Sequence, residues 1–159
     1  MSIQIGDRVP SVALHGANPK DQVDSAEAFG KGRVLVFGVP GAFTPGCDQT
    51  HLPGYIADFD KFKAKGVDQI ACVSVNDAFV MQAWGASQNA EGKVRMLADP
   101  GAAFTREIGL EVDASGPLGG VRSKRYAMVL QDGVVTHLEV EPDGFGLSCS
   151  LAGSILERI

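Results

Sequence analysis

The stretch Arg33-Val34-Leu35-Val36-Phe37-Gly38-Val39 is a continuous apolar run, which is typical of a strand covered on both faces of its sheet. Residues 67–75 predict a second strand. Between the two, apolar side chains recur at helical spacing in a segment that ends at Gly66, namely Tyr55, Ile56, Phe59 and Phe62. These segments together predict a strand–helix–strand unit with parallel strands and a right-handed crossover.

The middle of the chain continues this alternation of helices and strands. After the second strand, Asn76 and Asp77 are suited to cap a helix. The apolar face of that helix is predicted to consist of Phe79, Val80, Ala83 and Trp84. A short strand near 94–97 follows, and then a helix around 102–108 that is closed by Gly109.

A hairpin and a helix are predicted for the last part of the chain. Asp132-Gly133 stands between the strand-like runs 126–131 and 134–140, which is the strongest short-range sign of a two-residue hairpin. A last helix covers about 151–158, with Ser150 as its N-cap. Strands that alternate with helices and end in a hairpin predict a three-layer α/β sandwich around a central mixed sheet.

Composition and charge limit the classes of protein to which the chain can belong. With 159 residues, 45% of them hydrophobic and 21% charged, it is expected to form a single domain over 1–159, and the glycine-rich segment 116–120 is expected to be a loop. A net charge of −5 with scattered basic residues argues against a nucleic-acid partner, and no apolar run is long enough to cross a membrane. The first residues lack the features of a secretory signal, so a cytoplasmic location is expected.

The chemistry of the chain is expected at one of its three cysteines, at positions 47, 72 and 149. An odd number at wide spacing does not suit a disulfide framework, so the question is which thiol is reactive. Thr44 is a suitable N-cap and Pro45 a suitable first helical residue, which puts Cys47 at about the third position of a helix. There, the positive end of the helix dipole and the free N–H groups favour the thiolate over the thiol.

A helix end alone does not hold a cysteine in its ionised form at neutral pH. Lowering a thiol pKa from about 8.5 to about 6 takes about 3.4 kcal/mol, whereas a helix dipole supplies about 2 kcal/mol at most. We therefore expect a cation beside Cys47. His51, four residues later, invites a zinc pair or a nucleophile dyad, but the sequence offers neither further zinc ligands nor a residue to orient the imidazole.

Several blocks of the chain are distinctive. The first is Gly38-Val39-Pro40-Gly41-Ala42-Phe43-Thr44-Pro45-Gly46-Cys47, followed by Thr50-His51-Leu52-Pro53-Gly54. Others are Cys72-Val73-Ser74-Val75-Asn76-Asp77, Lys124-Arg125-Tyr126, and Gly146-Leu147-Ser148-Cys149-Ser150 after Glu141-Pro142-Asp143-Gly144. Together these blocks resemble the type II, or class V, peroxiredoxins, which are thiol peroxidases with a thioredoxin-like fold. The resemblance covers nearly the whole chain and implies that fold here.

The resemblance also implies a role for individual residues. Cys47 would be the peroxidatic cysteine, Arg125 the cation beside it, and Thr44 the residue that holds the peroxide through its hydroxyl. Three further residues are placed in the peroxide pocket, namely Pro40, Gly46 and His51. Pro40 would shield the thiolate from water, while His51 is expected either to form hydrogen bonds behind the pocket or to be purely structural.

A second thiol must react with Cys47 once it is oxidised to a sulfenic acid. Cys72 lies in an apolar strand, where an inert core cysteine is the ordinary expectation, whereas Cys149 lies in a loop before the last helix. The resemblance points to Cys149 as the resolving cysteine, although some relatives lack it or carry one near position 72. We expect the first turn after Pro45 and the Cys149 loop to rearrange before a disulfide forms.

We therefore predict an enzyme that reduces hydrogen peroxide and alkyl hydroperoxides, without a metal, haem or flavin cofactor. Thioredoxin is the expected reductant, with glutaredoxin and glutathione as the alternative, and a noncovalent homodimer is implied at the level of the family. Two other hypotheses stay open. One is a peroxide-sensing redox switch or partner-binding module without efficient turnover, and the other is a glutaredoxin-recycled peroxidase in which Cys149 is not the resolving residue.

Overall fold

The two predicted strands at the start of the chain are neighbours in the structure. The computed structural model describes residues 2–159. The strands Arg33–Val39 and Gln69–Ser74 run parallel, with Val34 opposite Gln69 and Val39 opposite Ser74. The predicted parallel arrangement of these two strands is therefore confirmed.

Residues 2–159 form nine strands, seven α-helices and one π-helical turn. The strands are β1 Ala13–His15, β2 Gln22–Asp24, β3 Arg33–Val39, β4 Gln69–Ser74, β5 Arg95–Ala98, β6 Glu111–Ala114, β7 Gly120–Ser123, β8 Tyr126–Gln131 and β9 Val134–Val140. The helices are α1 Ser25–Ala28, α2 Leu52–Ala57, α3 Phe59–Ala64, α4 Ala78–Ser87, α5 Ala103–Glu107, α6 Ser115–Leu118 and α7 Ala152–Arg158, and a π-helical turn, Cys47–His51, precedes α2. Over these described residues, no helix has the length and apolar character needed to cross a bilayer.

The main sheet is mixed, as predicted, and has the strand order β2-β1-β5-β4-β3-β8-β9. Strands β3, β4 and β5 are parallel to one another, whereas β8 runs antiparallel to both β3 and β9. Strands β1 and β2 extend the other edge in antiparallel fashion, and β6 and β7 form a separate antiparallel ribbon. The antiparallel pairing of β3 with β8 places the end of β3 beside the start of β8.

Apolar clusters cover both faces of the main sheet. On β3, Leu35, Phe37 and Val39 belong to one cluster, while Val34 and Val36 belong to the other. Side chains from α2, α3, α4 and α7 cover the first face, among them Tyr55, Phe62, Trp84 and Ile155. The second face is covered from the α1 and α5 side, by residues that include Phe29 and Phe104. The predicted three-layer arrangement is therefore confirmed.

The helical segment between β3 and β4 is less regular than predicted. It consists of the π-helical turn, α2 and α3, with a break at Asp58, and it ends before Gly66, which has a φ of 83°. In the π-helical turn, the N–H of Leu52 bonds to the carbonyl of Cys47. Pro53 has no N–H to bond to the carbonyl four residues before it, and this missing bond accounts for the wider turn.

Helix α4 is capped by Asp77 as predicted, but its predicted apolar face is wrong. Of the predicted residues only Trp84 is buried, and Phe79 is 65% exposed. The buried residues are Ala78, Met81, Trp84 and Gly85. A Cβ at Gly85 would lie 2.7 Å from the Cγ of Met96, so the glycine lets this side of the helix pack closely against β5.

The hairpin β8–β9 has the predicted bounds, and its turn residues Asp132 and Gly133 have φ values of 49° and 83°. The predicted N-cap of the last helix is wrong, because Leu151 occupies the cap position of α7. Ser150 instead donates its hydroxyl to Glu141 at 2.6 Å. The predicted loop at 116–120 is also wrong, since it contains most of α6 and the first residue of β7.

Candidate active site

Cys47 opens the π-helical turn that follows β3. The helical segment begins at Pro45, so Cys47 is its third residue, as predicted. The predicted side-chain cap is wrong, because Thr44 Oγ1 donates to the carbonyl of Gly41 at 2.8 Å. The chain turns sharply between Gly41 and Thr44, which brings that carbonyl within reach of the hydroxyl. The backbone carbonyl of Thr44 accepts a hydrogen bond from the N–H of Asp48 at 2.8 Å and so begins the helical pattern.

Arg125 brings a positive charge to the sulfur of Cys47. Its Nη1 lies 3.3 Å from Cys47 Sγ and 3.1 Å from His51 Nδ1, while its Nε donates to the carbonyl of Phe145 at 3.4 Å. Cys47 and His51 are completely buried, and Arg125 is only 4% exposed. A guanidinium keeps its charge when buried, so Arg125 is the cation that the sequence leads us to expect beside Cys47.

His51 is a neutral link between Arg125 and the segment that carries Cys149. Burial, together with the charge of Arg125, lowers the pKa of His51 to about 3. Because a guanidinium only donates, His51 Nδ1 accepts from Arg125, and the proton lies on Nε2, which donates to the carbonyl of Ser150 at 3.2 Å. The hydroxyl of Tyr55 donates to the same carbonyl at 2.6 Å.

Two other predicted pocket residues lie at the same end of the sheet. Pro40 directly follows β3 and is buried. A Cβ at Gly46 would lie 3.0 Å from Arg125 Nη2 and 3.3 Å from a methyl carbon of Leu147. Glycine at position 46 therefore leaves the room that the guanidinium needs to approach the beginning of the helix.

The two remaining cysteines have different surroundings. Cys72 is completely buried on β4, and burial together with the neighbouring Cys47 raises the pKa of its thiol well above the ordinary value. Cys149 is half-buried, and burial together with the charges of Glu141 and Glu139 raises the pKa of its thiol. All three cysteines are free thiols in this structure.

Sequence reasoning missed Glu141, a buried carboxylate that holds both neighbours of Cys149. It accepts the backbone N–H groups of Ser148 and Ser150 at 3.0 Å and 2.8 Å, and their hydroxyls at 2.7 Å and 2.6 Å. Burial acts to raise the pKa of Glu141, but the hydrogen bonds from Ser150 and Ser148 outweigh it and lower that pKa to about 2. The signs in the sequence were the block Glu141-Pro142-Asp143-Gly144 and the two serines on either side of Cys149.

The site is built from thiol, guanidinium, imidazole and hydroxyl groups. Within residues 2–159, no group of three His, Cys, Asp or Glu side chains is arranged to hold a metal ion. A buried sulfur bonded to a fixed cation, with further N–H donors beside it, is an arrangement that stabilises an anionic nucleophile and an oxygen that gains negative charge. Such an arrangement suits the transfer of an oxygen atom to sulfur.

Comparisons with known proteins identify the family. The redoxin family model matches residues 4–148. The chain is 47% identical to chloroplastic Peroxiredoxin-2E-2 of Oryza sativa subsp. japonica, covering 99% of this chain and 73% of that one, and 42% identical to Peroxiredoxin-2B of Arabidopsis thaliana, covering 99% and 98%. The structure of reduced Prx3 from Vibrio vulnificus in complex with hydrogen peroxide superposes with a TM-score of 0.90 at 50% identity over 98% of each chain. The chain therefore belongs to the type II peroxiredoxins and is a thiol peroxidase with a thioredoxin-like fold.

Proposed function

We propose that Cys47 is the peroxidatic cysteine, which reduces hydrogen peroxide and small alkyl hydroperoxides. The observation that carries this proposal is the 3.3 Å contact between Arg125 Nη1 and Cys47 Sγ. The complex of a Vibrio vulnificus relative with hydrogen peroxide supports the choice of substrate. In the proposed step, the thiolate attacks one peroxide oxygen, an S–O bond forms, and the O–O bond breaks. The leaving oxygen takes a proton to become water or an alcohol, and Cys47 becomes a sulfenic acid.

The side chains around Cys47 each support part of this step. Arg125 donates to the sulfur and carries further N–H groups that stabilise the charge moving onto the leaving oxygen. Thr44 gives its only hydroxyl proton to Gly41, so its oxygen is left to accept the hydrogen of the peroxide. His51, as a neutral acceptor, keeps the guanidinium oriented. Pro40 limits the access of water, and Gly46 leaves space for Arg125.

We propose Cys149 as the resolving cysteine. Its thiolate would attack the sulfenic sulfur, so that an S–S bond forms, the S–O bond breaks, and the oxygen leaves as water after taking up a proton. The next residue, Ser150, is already bonded to His51 and Tyr55 through its carbonyl. Cys72 is a weaker candidate, because it lies within β4, and moving it would break the pairing of β4 with both β3 and β5.

Reduction of the disulfide requires two electrons from a dithiol or from two thiols. We propose thioredoxin as this reductant, with glutaredoxin and glutathione as the alternative. A noncovalent homodimer, a cytoplasmic location and a single domain over 1–159 stay predictions. Chloroplastic proteins are among the relatives.

Peroxide consumption in the presence of excess dithiothreitol tests the role of Cys47. The natural protein should consume many equivalents of peroxide per chain, and Cys47→Ser should consume none, because serine is not a comparable nucleophile. Cys149→Ser is the matched variant: it should keep one rapid oxidation of Cys47 but lose cycling supported by thioredoxin. A natural protein that consumes a single equivalent would favour the redox switch. A peptide map of the oxidised protein in which Cys47 is joined to Cys72 would reassign the resolving step.

A further inference from the structure

The segment that carries Cys149 is held by one buried carboxylate. Glu141 follows β9, and its two oxygens receive four hydrogen bonds from the residues on either side of Cys149. Both backbone bonds reach the same oxygen, Oε2, while the hydroxyl of Ser148 reaches Oε1. Glu141 therefore fixes the backbone of this three-residue segment as well as its side chains. Bonds from N–H and O–H groups to an ionised carboxylate are stronger than bonds between neutral groups.

The same segment is attached to the peroxidatic side of the site. The carbonyl of Ser150 accepts hydrogen bonds from His51 and Tyr55, and His51 in turn accepts from Arg125. Any movement of Cys149 toward Cys47 must therefore release either the bonds to Glu141 or the bonds to the Ser150 carbonyl. The Glu141 bonds are the more numerous of the two sets.

The charges around Cys149 oppose its ionisation. Burial is the largest cause of the raised pKa of its thiol, and the charges of Glu141, which follows β9, and of Glu139 on β9 add to it. The other titratable groups beside the segment, His51 and Tyr55, contact it through Ser150 and are uncharged at neutral pH. Glu139 is partly neutralised by Arg158 at 2.8 Å, whereas the partners of Glu141 are neutral serine groups. Glu141 therefore acts on Cys149 as a full negative charge.

We propose that Glu141 is a positioning residue that keeps Cys149 both in place and unreactive while the site is folded, and frees it when the segment leaves the carboxylate. This proposal rests on the proposed resolving role of Cys149. While Glu141 holds the segment, Cys149 remains a protonated thiol and a poor nucleophile. The surroundings of Cys47 therefore stay unchanged while Cys47 reacts with peroxide. After release, Cys149 loses the adjacent negative charge, ionises more easily, and attacks the sulfenic sulfur of Cys47 with loss of water.

The test is the alkylation rate of Cys149 by iodoacetamide in the reduced full-length protein, followed by mass spectrometry of the Cys149 peptide from pH 6 to about pH 10. Glu141→Gln keeps the shape of the side chain and one oxygen that accepts the backbone N–H groups of Ser148 and Ser150, but it removes the negative charge of the carboxylate. We expect alkylation at pH 7 to be about tenfold faster and the midpoint of the pH profile to fall by about one unit. Glu139→Gln, two residues earlier and on β9, is the matched control and should change the rate by less than about twofold.

Two results of this experiment would overturn the proposal. One is an alkylation rate of Cys149 in Glu141→Gln that lies within twofold of the rate in the natural protein, or that is no higher than the rate in Glu139→Gln. The other is faster alkylation of Cys149 without any change in the midpoint of its pH profile. A segment that is only loosened would make Cys149 more accessible to iodoacetamide but would leave its ionisation unchanged. Oxidation of Cys47 by one equivalent of peroxide is recorded in parallel for every variant, so that a failure of the peroxidase proposal is seen separately.

Ser148→Ala provides a second variant that leaves the carboxylate in place. Ser148 is largely exposed, so its replacement should not prevent folding. It removes one of the four bonds, and we expect the Cys47–Cys149 disulfide to form about fivefold faster after one equivalent of peroxide. Unchanged or slower disulfide formation would contradict the proposed release step. If no disulfide to Cys149 forms even in the natural protein, the resolving role fails, while the alkylation experiment still decides the role of Glu141.

Discussion

Cys47 and Cys72 lie in the same apolar cluster and are both completely buried, yet their chemical surroundings differ. Cys72 is enclosed within the central sheet, and burial raises the pKa of its thiol. Cys47 has the guanidinium of Arg125 at 3.3 Å. Burial in apolar surroundings keeps a thiol protonated, whereas a fixed cation favours the thiolate. The two cysteines are therefore buried to the same extent, and the direct contact with a cation is what distinguishes Cys47.

The topology explains why Arg125 contacts one of these cysteines directly. Gly38 near the end of β3 pairs with Tyr126 at the start of β8, so the residue before Tyr126 lies beside the chain that leaves β3. Cys47 belongs to the first turn after that exit. Cys72 lies in the middle of the ladder between β3 and β5, where its neighbours on both sides are strands. The position of each cysteine relative to the strand ends therefore controls its access to charge.

The largest effect is expected when the guanidinium of Arg125 beside Cys47 is removed. Arg125→Met should lower the rate of Cys47 oxidation by peroxide about 10²- to 10³-fold, because it removes the donor to the sulfur and to the leaving oxygen. Stopped-flow measurement with one equivalent of peroxide gives this rate. Arg122→Met is the matched control, since Arg122 donates instead to the carbonyl of Leu118, and it should lose less than about threefold. A loss of less than tenfold in Arg125→Met would argue against the proposed role of the cation.

His51 should make the stability of the protein depend on pH, because it is buried in its uncharged form beside Arg125. The folded protein keeps His51 uncharged down to about pH 3, whereas in the unfolded chain it takes up a proton below its ordinary pKa of 6.5. Acid therefore favours unfolding between these values, and His51 should contribute a loss of about 2 kcal/mol in the free energy of unfolding between pH 6.5 and about pH 4.5.

Urea unfolding of the natural protein and of His51→Asn at several pH values measures this contribution. The variant should lack that part of the acid dependence and keep the part due to carboxylates. One of these is Glu141, whose stabilising effect is present above its ordinary pKa of 4.5 and is lost as the pH falls toward about 2. Parallel curves for the two proteins between pH 6.5 and about pH 4.5 would mean that His51 is charged in the folded state.

The smallest effect is expected at Cys72. Cys72→Ala removes one buried sulfur and should lower the free energy of unfolding by about 1 kcal/mol through lost packing. The rate of Cys47 oxidation and cycling with thioredoxin should both change by less than about twofold, because the thiol takes no part in the proposed reaction. A much larger loss of cycling, with the first oxidation intact, would instead identify Cys72 as the resolving cysteine.

Local patterns predict the long elements of this fold and some short ones, such as β5 and α5, but miss four short strands. The seven residues of β3 and the Asp132-Gly133 turn carry clear signals, and both lie where the sequence predicts. Strands β1, β2, β6 and β7 have only three or four residues, too few for a period to be recognised, and they depend on pairing with distant partners.

The buried face of α4 was mispredicted for a similar reason. Apolar residues occur around much of this helix, so hydrophobicity favours no single direction. The close approach that Gly85 allows against Met96 turns the helix instead, and that contact exists only in the assembled layers. Phe79 is left exposed as a result.

The candidate site also has a part that the local sequence predicts and a part that only the tertiary structure provides. The order of Pro45 and Cys47 within one short segment places the cysteine in the first turn of a helix, because a proline at the first helical position and the helix dipole act over a few neighbouring residues. The guanidinium beside that cysteine comes from a residue 78 positions away, and the link from His51 to the Ser150 carbonyl spans 99 positions. Charge and hydrogen bonding act across space rather than along the chain, so these groups meet only because β3 pairs with β8 and the segment 148–150 is held by Glu141.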